Sequence, residues 1–178
     1  MAILGALFLV MYITLNNMDV GLSVNWHSFR SKKYIFMEEK LNWFDAQTVC
    51  HAMESFLAHE MSADENSFLI SILNSKYVFL KNGYNRSYGL LSELLHYKDF
   101  NIFLLLGKTA WIGGADIHQE GDWRWYSPLT EMKFTYWHSN QPNNGRTSNC
   151  MCYYKFSTTV YKWADEPCTS RFSFVCEK

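Results

Sequence analysis

WIGGAD at 111–116, DWRWYSP at 122–128, FTYWHSNQPNNG at 134–145, CMCYYKF at 150–156, KWADEPC at 162–168 and FSFVCEK at 172–178 set the texture of the second half of the chain. Short aromatic runs alternate there with Gly, Pro and Asn turns. In Asp122-Trp123-Arg124-Trp125 the period is two, which predicts a strand. The first half reads differently. Lys32-Lys33-Tyr34-Ile35-Phe36 suits a first strand. Asn42 then suits a helix N-cap with Asp45 three residues on, followed by Ala46, Val49, Cys50 and Met53 at helical spacing. Ser62-Ala63-Asp64-Glu65 fits a capping box, and Phe68, Leu69, Ile72 and Leu73 share one face of the helix that follows. Helices come first and strands later, so the expected class is α+β.

The chain has 178 residues, 48% hydrophobic and 19% charged, which suits one packed domain and excludes a disordered or fibrous chain. Aromatics reach 17%, a content that favours β-structure and ligand-stacking surfaces. A net charge of −1 supplies no basic field to gather nucleic acid.

Residues 2–15 read AILGALFLVMYITL, an uncharged apolar run. About 20 such residues are needed to cross a bilayer, so the run has the length of a signal-peptide core instead. Small residues at Gly21 and Ser23 place cleavage after Ser23, although the leader has no Lys or Arg before its core. The expectation is a leader at 1–23 and a mature, secreted, extracellular domain at 24–178 with no membrane span. In that oxidising setting Cys50, Cys150, Cys152, Cys168 and Cys176 should pair. Any four permit three connectivities, and one thiol is left over.

Taken in order, these motifs resemble the C-type lectin-like domain family over roughly 34–178. Asn42-Trp43-Phe44 with Ala46 and Cys50, Leu57-Ala58, Glu65 with Phe68, Trp111-Ile112-Gly113-Gly114, Trp123 with Trp125, Trp137 before Gln141-Pro142-Asn143, Trp163-Ala164-Asp165 and Phe174-Val175-Cys176-Glu177 each look like a family landmark. The resemblance implies the pairs Cys50–Cys176 and Cys150–Cys168. Cys152 is then a buried small hydrophobe, or else the bridge of a disulfide-linked dimer. Residues 77–108 do not match the pattern. They hold the sequon Asn85-Arg86-Ser87, a candidate glycosylation site, and a short helix signal at 90–95. They read either as a lineage-specific loop or as a translated, retained intron ending in NIFLLLG.

Sugar binding in this family rests on calcium, which takes about six to eight oxygens, two of them from the sugar. The resemblance assigns the sugar-site positions to Gln141, Asn143, Ser148, Ala164 and Asp165, with Pro142 in cis between the first two. Gln141 and Asn143 offer amide oxygens and Asp165 a carboxylate. Ser148 stands where the family has Glu, and Ala164 stands where it has Asn. Calcium should therefore bind weakly or not at all. An auxiliary calcium site keeps Asp116 and Glu120, with Asn144 and Asn149 where further acids often sit. Trp137 and His138 are candidate sugar contacts. Trp123, Trp125 and Trp163 read as core.

No G-x-S-x-G, H-E-x-x-H or phosphate loop is present, and the six histidines show no metal spacing, so an enzyme is not expected. Two functions remain. The first is a lectin for glycans or glycoproteins, as Gln141-Pro142-Asn143 suggests. The second is a calcium-independent protein-binding module of the same fold, as Ser148 and Ala164 suggest.

Overall fold

A computed structural model of the chain describes residues 26–59, 61–157 except 83–108, and 160–178. The leader reading, the sequon at Asn85 and the helix signal at 90–95 lie outside the described residues. So does most of the insert at 77–108. Its first residues, up to Asn82, continue a helix.

Two helices and nine strands occur among the described residues. In chain order they are β1 (His27–Phe29), β2 (Lys32–Leu41), α1 (Trp43–Ala52), β3 (Phe56–Leu57), α2 (Ala63–Asn82), β4 (Ala110–Ala115), β5 (Arg124–Tyr126), β6 (Leu129–Glu131), β7 (Cys150–Lys155), β8 (Tyr161–Glu166) and β9 (Phe172–Glu177). The strands run β1-β2-β9-β4-β5-β6, and β7 branches from β4 to carry β8. Among the named strands described, only the β4–β9 pairing is parallel; the isolated Trp137–Trp163 bridge is parallel too. The architecture is the α+β one expected.

Both helix starts follow the local chemistry. Asn42 accepts from the Asp45 N–H at 2.9 Å, satisfying a donor that the first turn leaves free. Ser62 and Glu65 close the capping box reciprocally. The Ser62 N–H donates to Glu65 Oε2 at 2.9 Å, and the Glu65 N–H donates to Ser62 Oγ at 3.3 Å. Glu65 also receives the Tyr34 hydroxyl at 2.8 Å and pairs with Lys32 at 3.0 Å. Lys32 reaches Glu177 as well, at 2.9 Å. One ammonium thus joins β2, the head of α2 and the end of β9.

The core divides in two. Leu69, Ile72 and Leu73 of α2 pack with Tyr34, Ile112, Tyr153, Trp163 and Val175. Trp43, Ala46 and Val49 of α1 pack with Leu57, Trp111, Phe174 and four of the cysteines. Trp43 Nε1 donates to the Ile112 carbonyl and Trp111 Nε1 to the Leu41 carbonyl, both at 2.9 Å. Each indole buries its rings and satisfies its one donor. Gly113 lets β4 approach the α1–α2 connection, since a Cβ there would sit 2.8 Å from the Leu57 carbonyl oxygen.

The disulfides are Cys50–Cys176 and Cys150–Cys168. The first fastens α1 to β9 and the second fastens the start of β7 to the chain beyond β8. Cys152 is a free, buried thiol lying 3.6 Å from the Ala164 carbonyl oxygen. Burial pushes that thiol well above its ordinary range. No helix among the described residues is long and apolar enough to cross a membrane.

Candidate functional site

The site grows from the end of β8. Trp163 is fully buried, in edge-to-face contact with Trp125, Phe134 and Trp137. Its backbone brackets the segment leading to the proline loop: the Trp163 N–H donates to the Tyr136 carbonyl and the His138 N–H donates to the Trp163 carbonyl, both at 3.0 Å. The Gln141-Pro142 peptide bond is cis. Two residues past Trp163, Asp165 is 1% exposed. Its Oδ1 accepts from the Asn143 N–H at 3.0 Å and its Oδ2 from the Asn144 N–H at 2.9 Å. The Asn144 side-chain amide returns a bond to the Asp165 carbonyl at 3.3 Å. One carboxylate therefore latches the proline loop to β8. Charge-assisted bonds of this kind contribute about 1.5–3 kcal/mol each.

The structure brings Asn143, Asn144 and Asp165 together, and Gln141 precedes them in the same loop. Ser148 is buried nearby in the chain, before β7, and Ala164 faces α1 with no oxygen to offer. Gln141 Oε1 is buried with no hydrogen-bond donor among the described residues. Trp137 is half-buried, its ring edge-on to Trp123 at 4.8 Å. His138 lies flat on Phe156 at 3.8 Å.

A second cluster occupies the loop after β4. Asp116, Glu120, Arg146 and Asn149 line one open cleft of about 610 Å³. Asp116 is buried, and its Oδ2 accepts from the Gly121 N–H at 2.9 Å. Its Oδ1 and Asn149 Oδ1 have no donor among the described residues. Burial raises the Asp116 carboxyl above its ordinary range, and the nearby Glu120 and Asp165 charges add to that.

These oxygens discriminate between the two calcium positions. At the proline loop Asp165 is engaged by two backbone amides and Ala164 supplies nothing, which suits a hard cation poorly. At the acidic cleft two orphaned oxygens and Glu120 suit one better, yet Arg146 brings a positive charge to the same wall. No group of three or more His, Cys, Asp or Glu capable of holding a metal forms among the described residues. Sequence reasoning nominated Asp116, Glu120, Asn144 and Asn149. It missed Arg146, whose only signal is its place three residues before Asn149.

The family model of the lectin C-type domain matches residues 98–178. The perlucin-like protein of Mytilus galloprovincialis is 27% identical over 158 residues, 88% of this chain and 83% of that protein. Among solved structures, a Ca2+-dependent type II antifreeze protein in its Ca2+-free form superposes with a TM-score of 0.60 at 25% identity, covering 86% of this chain and 96% of that one.

The chain has the C-type lectin-like fold, and its second half matches the lectin C-type domain.

A C-type lectin domain family 4 member M protein of Hylobates lar is 28% identical over 86% of this lectin-like chain, but the chain spans only 30% of that longer protein. A calcium-independent type II antifreeze protein shares the lectin-like fold at a TM-score of 0.62 and 18% identity, covering 89% of this chain and 94% of that one.

Proposed function

We propose that this chain is a secreted carbohydrate-binding protein, acting by recognition and not by catalysis, whose calcium dependence is weakened or lost. The observation that carries the reading is the Asp165 latch. In it a buried carboxylate holds the cis-Pro142 loop through the Asn143 and Asn144 amides, work for which a bound cation is not needed. The loop is thereby pre-organised, with the Gln141 and Asn143 amides as polar contacts for sugar hydroxyls. Calcium, if bound, supplies positive charge and oxygen coordination at Asp116, Glu120 and Asn149.

The lectin domain named in the Hylobates lar relative supports the sugar reading. The competing reading, a protein-binding module with no sugar ligand, is favoured by Ala164 and by the burial of Ser148. A glycan array probed with and without EDTA separates them. Binding to defined glycans that survives the chelator is the expected result. Silence on every glycan, with capture of protein ligands only, sinks the proposal. Calorimetric titration with calcium should show weak binding, abolished by Asp116→Asn.

A further inference from the structure

Of the outer face of the β7–β8 hairpin, the site above involves only its neighbour His138, whose carbonyl accepts from the Gln141 N–H at 2.9 Å. The strand register places Tyr154 opposite Lys162, on the same face as Cys152 and Ala164. Farther down, Cys152 and Ala164 are buried in the cluster that includes Trp43 and Val49; toward the hairpin end Tyr154 and Phe156 are exposed. The 136–138 segment runs beside β8, held by the two backbone bonds to Trp163, and brings Tyr136, which also packs against the Trp163 core, and His138 to the edge of that face. The groups are packed into one layer. Lys162 Nζ lies 3.6 Å over the Tyr136 ring, His138 stacks on Phe156 at 3.8 Å and 9°, and Phe156 meets Tyr154 at 5.1 Å. Even so, Tyr154 remains 38% exposed and Phe156 37%. An aromatic surface held this rigidly loses little freedom when a ligand stacks on it.

Charge selects the occupant. Lys162 is the cation of the hairpin on this face, since Lys155, paired with Tyr161, lies on the other. Among the described residues no carboxylate pairs with Lys162. The nearest acid on that face of β8 is Glu166, about 13 Å along the strand. Ring faces attract the polarised C–H groups of a sugar, and the Lys162 ammonium attracts an anion.

We propose that Tyr136, His138, Tyr154, Phe156 and Lys162 form a second glycan-contact surface, taking sugars that carry a sulfate ester or a carboxylate. The proposal extends the carbohydrate-binding reading to a different face and does not use the proline loop. The test measures binding of dextran sulfate, polysialic acid and unsulfated dextran to the full chain, in EDTA, at two salt concentrations. Dextran sulfate should bind at least about tenfold more tightly than dextran and weaken with salt. Phe156→Ala and Lys162→Gln should each reduce that affinity by about fivefold or more with an unchanged unfolding midpoint. Asn143→Ala should leave it intact. Polysialic acid bound in the same way extends the class to carboxylates; dextran sulfate alone restricts it to sulfate esters. Binding that ignores charge, that survives both hairpin substitutions, or that disappears in Asn143→Ala overturns the proposal, as does failure of both anionic polymers to bind. A blank array of neutral glycans would refute the proline-loop reading alone.

Discussion

Asp165 illustrates what a single residue can reveal in sequence and what it cannot. Its place after Trp163 marks it as a polar site residue, yet its bonds go to backbone amides some twenty positions earlier, which no local pattern announces. Asp165→Asn should lower stability by about 2 kcal/mol, because one of the two loop amides then faces an –NH2 group instead of an oxygen. The midpoint of denaturant unfolding measures that loss. Glycan affinity should fall in parallel, equally with and without EDTA. Gly113 is a different case, since the motif was legible but its cause was not. Ala at this position would press its Cβ on the Leu57 carbonyl oxygen and should cost about 1–3 kcal/mol, as overpacking does. Thermal melting of the variant checks it.

Among the elements, the helix starts were the most readable parts of the fold, because a cap is decided within four residues. Asn42 with Asp45, and Ser62 with Glu65, bond as their spacing suggests. Strand ends were less legible. Lys32–Phe36 was expected, but β2 continues to Leu41 because its partner β9 reaches Phe172, a long-range fact. Likewise the predicted strand at Asp122–Trp125 forms as Arg124–Tyr126, set by pairing with Leu129–Glu131. The head of α2 also carries a pH dependence. Burial opposes ionisation of Glu65, but the Lys32 ammonium, the Ser62 groups and the Tyr34 hydroxyl outweigh it and hold the carboxyl below its ordinary range. A carboxyl lowered in the folded state stabilises above its unfolded value and loses that contribution as pH falls through its folded value. Acidification below the usual carboxylate range should therefore weaken the wild type, and Glu65→Gln should remove this part of the slope. Unfolding followed across the acidic range tests the sign. Ser62→Ala should cost about 1 kcal/mol at neutral pH.

For the whole molecule, the family landmarks were legible because most of them are core residues: Trp43, Trp111, Trp125 and Trp163 are essentially inaccessible to solvent. The hairpin face was not, since Tyr154, Phe156 and Lys162 become neighbours of Tyr136 and His138 only through the sheet. The bridges differ in reach, with separations of 126 for Cys50–Cys176 and 18 for Cys150–Cys168. On the chain-entropy account, opening the first should cost about 4.7 kcal/mol and the second about 3 kcal/mol. Paired Cys→Ala variants compared by melting temperature rank them. Cys152 should resist thiol reagents in the native protein and react after unfolding, with one band on a non-reducing gel. Finally, β9 lies between β2 and β4 and also receives β3, so the middle of the sheet is filled by residues 172–177. During synthesis β2, β3 and β4 must wait for this segment to leave the ribosome before their pairing is complete. Until then β2 and β4 expose open edges, and a nascent chain stalled short of Phe172 would be a client for chaperones.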